Sequence, residues 1–186
     1  MTATITDFST LTGTYTLDVA HSRLGFVARH AMVTKVRGAF NSFEGTTTID
    51  GDDPSKSSVQ ITIDVNSVDT RNEQRDGHLR TNDFFDIEHF PKITFVSTSI
   101  THDGGNEFQV TGDLTIKDVT KSVTFPLEFT GAVKDPWGND RIGFEGSTVI
   151  NRTDYGVNFN AALEAGGVLV SEKVTLEFEI AAIKNA

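Results

Sequence analysis

The chain has 186 residues, 37% hydrophobic and 23% charged, with 14 Phe against one Trp and two Tyr. That suits one domain with a sizeable core and is too polar for a membrane-embedded fold. With no Cys and a net charge of −10, disulfides and thiolate chemistry are excluded, and nucleic acid and electrostatic docking on anionic lipid are disfavoured, no stretch standing out for Lys or Arg.

Residues 1–12 (MTATITDFSTLT) are Thr-rich and unpatterned and predict a flexible N-terminal arm. They lack the basic and apolar regions of a signal peptide, so the expected location is the cytoplasm. No window approaches the roughly 20 apolar residues that span a bilayer, so membrane insertion is not expected.

From Thr14 onward apolar and polar residues alternate, the period-2 pattern of half-buried strands. Leu24 and Phe26 open an early strand. Val59, Ile61, Ile63 and Val65 alternate with Gln60, Thr62 and Asp64. Thr70 with Glu73 three residues later reads as a capping box, predicting a short helix near residues 70–82. An irregular segment to Pro91 follows and drops Phe84 and Phe85 onto apolar surface, one of them closing a ligand entrance. Ile93 and Phe95 start the next strand. Phe108, Val110, Leu114 and Ile116 share one face, as do Val123, Phe125, Leu127 and Phe129, and later Val174, Leu176, Phe178 and Ile180.

Between them lie turn sequences at 50–54, 102–106, 117–120 and 135–140, the last carrying Trp137, which is expected to fold back on its own hairpin. Residues 151–167 read as a loop with at most one helical turn. Short hairpin connections and glycines inside strands favour an all-β, extended eight-stranded antiparallel up-and-down barrel over residues 13–186, rather than a sandwich.

Several blocks carry a resemblance. Asp18-Val19-Ala20-His21-Ser22-Arg23-Leu24-Gly25-Phe26 with His30 comes first. Gly38-Ala39-Phe40-Asn41-Ser42-Phe43-Glu44-Gly45 follows. Then come Val68-Asp69-Thr70, Arg75-Asp76-Gly77-His78-Leu79-Arg80 and Asp83-Phe84-Phe85-Asp86, continued by Pro91-Lys92-Ile93-Thr94-Phe95. Gly112-Asp113-Leu114-Thr115-Ile116 with Val119-Thr120-Lys121, Gly143-Phe144, and Asn151-Arg152-Thr153-Asp154-Tyr155-Gly156 complete the series. In this order they resemble the YceI-like family of polyisoprenoid-binding proteins, from about Tyr15 to the C-terminus. The resemblance implies a lipocalin-like barrel, often a homodimer, enclosing an isoprenoid or similar long-chain lipid. Two departures are visible: Asp118 stands where the family often has Gly, and the secretion signal of many members is missing.

A narrow barrel of strands about twelve residues long, at ~3.3 Å each, suits a thin apolar chain. The function read from this is non-catalytic binding, sequestration or transport of a long apolar amphiphile such as a polyisoprenoid or isoprenoid quinone. The candidate lining is Phe26, Phe40, Ile61, Ile63, Phe84, Phe85, Phe95, Phe108, Val110, Leu114, Phe125, Leu127 and Phe144. Candidate polar contacts are His30, Arg75, His78 and Arg152, the arginines facing a phosphate or quinone oxygen. For each, the competing reading is ordinary core or a structural hydrogen bond. No cofactor or metal is expected, since no zinc-binding His spacing occurs. Two alternatives stand beside the carrier. One is an enzyme acting on the same ligand with His30 or His78 as base, or a Ser22/His21/Asp18 or Ser22/His30/Asp76 triad. The other is a filled barrel that binds a partner through Trp137.

Overall fold

The computed structural model describes residues 7–186. In chain order the strands are β1 (Gly13–Leu17), β2 (Arg23–His30), β3 (Thr34–Phe40), β4 (Phe43–Ile49), β5 (Ser58–Asp64), β6 (Val68–Asp69), β7 (Lys92–Gly104), β8 (Glu107–Ile116), β9 (Val119–Lys134), β10 (Asp140–Asn151) and β11 (Lys173–Lys184), with helix α1 (Glu73–Arg80) between β6 and β7.

The first six strands join end to end into three bent staves. β1 and β2 run along one partner: Leu17 faces Ala182 and Arg23 faces Glu179 of β11. β4 and β3 pair with β1 and β2, and β5 and β6 with β4 and β3. Counted this way there are eight staves, each antiparallel to the next in sequence, and β11 returns to β1 and β2. The result is the closed eight-stranded up-and-down barrel that the alternation predicts, sealed by the β1–β11 pairing, with only the short β6 paired on one side alone.

The breaks in the staves fall side by side. Asn41 and Ser42 N–H groups bond Ser67 O and Oγ, Asp64 N–H bonds Ser42 O, and Asp18 N–H bonds Ala181 O. Short Asn, Ser and Asp side chains compete with ladder bonds, which is why the barrel bends there.

Inward positions are apolar. Tyr15, Val110, Phe129 and Ala182 are almost fully buried, and Phe40, Ile93, Leu114 and Ile142 are buried beside them. The β8–β9 turn places Lys117 and Asp118 at φ 54° and 77°, the left-handed pair of a two-residue type I′ hairpin. Asp is among the few side chains that accept this conformation, so it can stand where glycine is usual.

Three expectations change. Residues 1–6 lie outside the described residues, but the rest of the expected arm is docked: Leu11 is buried, and the Phe8 ring meets Phe108 and Phe129 edge-on at 5.5 and 5.7 Å. The helix is present, but its N-cap is Asn72, which accepts from Arg75 N–H at 2.9 Å. Thr70 instead donates through N–H and Oγ1 to the buried Asp76 carboxylate. The cause is Arg71, whose φ of 64° turns the chain before the helix starts. Trp137 does not fold back. It is 81% exposed, because Asp135 accepts from Trp137 and Asn139 N–H and closes the turn beneath it.

Candidate functional site

Inward side chains of an eight-stranded barrel either fill it or leave room for one small ligand. Here they leave a cavity of about 300 Å³, bordered at one end by Phe8, Leu11 and Ile49, midway by Ile100, Val110 and Phe125, and at the other end by Leu79, Tyr155 and Val157. That is about twice a ~150 Å³ apolar cavity able to hold benzene, and within the range of ligand pockets. Its wall is almost wholly apolar, so water inside would lack hydrogen-bond partners.

Two glycines help keep the lumen open. A Cβ at Gly38 would lie 2.4 Å from the Phe26 ring, and one at Gly112 would lie 2.4 Å from the Phe95 ring. Without a side chain beneath it, each ring lies against the wall rather than across the tube.

The structure places Phe26, Phe40, Ile61, Ile63, Phe95, Phe108, Val110, Leu114, Phe125, Leu127 and Phe144 on the cavity wall, together with Arg152. Phe84 and Phe85, both named in the candidate lining, both border it. The segment is a tight turn, with Phe84 N–H on Thr81 O and Phe85 N–H on Leu79 O, so neighbouring side chains fall on the same side. Periodicity also misses Phe8 and Leu11, which enter from the N-terminal segment, and Tyr155 and Val157, which enter from a loop. Phe129 and Phe178 also line it and share alternating faces already legible in the sequence.

His30, Arg75 and His78 do not line the cavity. His30 is exposed at the end of β2, past the last inward position, and bridges to Val170. Arg75 is spent on Thr70, with Nε on Oγ1 and a terminal nitrogen on the carbonyl, both at 2.7 Å. His78 stands outside, its ring 5.0 and 4.9 Å from those of Phe84 and Phe159 and its Nε2 2.8 Å from Asp83.

Arg152 is the one cation on the wall, and it is 6% exposed. Its guanidinium donates to Ser171 O at 2.8 Å, Val157 O at 2.7 Å and Val170 O at 3.2 Å. Burial pushes its pKa down, opposed by nearby Glu172. It thus ties the 151–172 excursion across one end of the cavity. Burial raises the Tyr155 phenol, with Asp154 adding to it.

The drawn triads are not assembled. His21 Nδ1 does meet Asp18 at 2.8 Å, but Ser22 Oγ is committed to both the carbonyl and the N–H of Ala181. His30 is apart from Asp76, which Thr70 occupies. Among the described residues, no group of three or more His, Asp or Glu is placed to hold a metal ion.

The model of the YceI-like domain matches residues 15–182. The chain belongs to the YceI-like family. A UPF0312 protein of Staphylococcus aureus strain MSSA476 is 43% identical over 164 residues, covering 88% of this chain and 93% of that one. Among solved structures, BcnA of Burkholderia cenocepacia superposes with a TM-score of 0.79 at 29% identity, covering 89% of this chain and 98% of its own. The YceI protein of Campylobacter jejuni gives 0.74 at 26%, covering 85% and 90%. A polyisoprenoid binding domain from Saccharophagus degradans gives 0.69 at 19%, covering 92% and 98%, a likeness of fold. In this YceI-like barrel the matched span therefore includes all eight staves and the 151–172 excursion.

Proposed function

We propose that this protein binds one long apolar amphiphile, such as a polyisoprenoid, an isoprenoid quinone or a similar lipid, inside the barrel and sequesters or carries it unchanged. One observation carries the reading: the lumen is open, continuous and apolar, where a structural barrel would be filled. Burying roughly 400–600 Å² of apolar ligand surface at ~25 cal/mol/Å² gives about 10–15 kcal/mol. Association costs about 4 kcal/mol or more, which leaves up to about 6–11 kcal/mol, so dissociation constants in the range from tens of micromolar to about 10 nM need no ionic contact. The wall also offers little chemistry. Thr47, Asp50 and Ser57 sit at the Ile49 end, Thr148 and Glu177 also lie along it, and the Arg152 guanidinium at the far end already holds three carbonyls. The family resemblance extends the reading to a homodimer.

Native mass spectrometry of the untreated protein tests this. The expected result is a mass excess of one long-chain lipid per chain that disappears on extraction with organic solvent and returns unaltered. A bare protein mass, together with failure to take up any added lipid, would overturn it.

A further inference from the structure

Against the expectation that no stretch stands out for Lys or Arg, the β2–β3 hairpin carries a charge pattern that the chain average hides. Between Asp18 and Glu44 the sequence holds no Asp or Glu, but it holds Arg23, Arg29, Lys35 and Arg37. Leu24, Phe26 and Ala28 line the cavity, so the alternate positions of β2 face outward. Register puts Arg29 directly opposite Lys35 and Val27 opposite Arg37, which brings the cations together on one outer face.

Like charges directly opposed in a sheet weaken the pairing, and the fold does little to relieve them. Arg29 donates weakly to Val33 O at 3.4 Å. Among the described residues no carboxylate lies within ion-pair distance of Arg29, Lys35 or Arg37, and Arg23 reaches Glu177 only at 3.9 Å.

The tip of this hairpin is apolar and unprotected. Met32 is 62% and Val33 75% exposed, in a turn fixed by left-handed Ala31 and Met32. Met32 Sδ lies over Gly167, beside the exposed Val168. The strand end next to this tip is tied to the cavity rim. Ala31 N–H bonds Leu169 O at 2.7 Å and Ser171 N–H bonds Arg29 O at 3.0 Å, while Ala28 and Val170 border the lumen.

We infer that the β2–β3 hairpin docks the barrel on an anionic lipid bilayer, with Met32 and Val33 entering the headgroup layer and Arg29, Lys35 and Arg37 meeting lipid phosphates. An apolar tip flanked by unpaired cations is the arrangement that binds such an interface. A polynucleotide would engage the cations but leave the Met–Val tip in water. The net charge of −10 repels the rest of the molecule from the same surface, so docking is confined to this face. Because the hairpin adjoins the cavity wall, it sets the barrel where a lipid would enter or leave. In that use it rests on the carrier reading, although vesicle binding itself needs no occupied cavity.

Co-sedimentation with phosphatidylcholine vesicles, with and without phosphatidylglycerol, tests the docking. The full chain is expected to bind only vesicles containing phosphatidylglycerol, and less as salt is raised. Lys35→Glu with Arg37→Glu should weaken binding roughly tenfold or more, and Met32→Ser with Val33→Ser should weaken it independently. Thermal unfolding of neither double variant should fall below that of the parent, since all four side chains are exposed and Lys35→Glu removes a like-charge pair with Arg29. Equal binding by the charge-reversed variant, or none by the parent, would overturn the inference. So would light scattering showing that the tip variants split a dimer, which would make the face a contact between copies. The mass-spectrometric test of the cavity is separate, so either proposal can fail alone.

Discussion

At Arg152 a cation is kept in an apolar wall by three carbonyl acceptors rather than by a carboxylate. Replacing it leaves those carbonyls without a donor in a place water reaches poorly, at about 1–3 kcal/mol each. Arg152→Met is therefore expected to destabilise the protein by at least about 3 kcal/mol in urea unfolding. Arg152→Lys should recover only part of the loss, because an ammonium cannot reproduce the planar fork. The arginine was legible as a candidate from its motif, but its structural use was not, since the carbonyls it meets lie on residues as distant as Ser171. His30, Arg75 and His78 were misplaced for a related reason. They sit at the last residue of a strand or on a helix outside the barrel, where alternation no longer says which way a side chain points.

Between elements, one polar clamp joins parts far apart in sequence. Arg141 on β10 reaches Asp18, just after β1, at 2.6 Å and Asp135 in the β9–β10 turn at 2.7 Å. Burial raises the Asp135 carboxyl, but bonds from Asn139, Arg141 and Trp137 outweigh it and hold the pKa well below the usual range. The Arg141 hydrogen bond is the main cause that lowers Asp18. A carboxyl depressed by folding adds stability above its unfolded pKa of about 3.9 and loses it as pH falls toward the folded value. Urea midpoints should therefore drop below about pH 4. Asp135→Asn should be less stable than the parent at neutral pH and show a shallower acid decline. An unchanged acid profile in that variant would remove the clamp from the account.

Elements were legible where one face is buried and one is wet, as in β7, β8, β9 and β11, because burial writes a period of two into the sequence. The breaks inside the first three staves were not, since they depend on side chains bonding neighbouring strands. The helix was found but its cap was displaced from Thr70 to Asn72, because a left-handed Arg71 leaves no mark in the residue pattern.

For the molecule as a whole, the closed ring was readable, but the open lumen was not. The same alternating phenylalanines would serve a filled core, and the difference lies in how Phe26 and Phe95 lie against Gly38 and Gly112. The claim that this lumen takes an apolar chain is tested most directly by titrating solvent-extracted protein with straight-chain alcohols of increasing length. Burial of each methylene is worth about 0.8 kcal/mol, or about fourfold in affinity. The dissociation constant is expected to fall by about that factor per methylene until the tube is full, and then to level off. An affinity that does not depend on chain length would contradict the account.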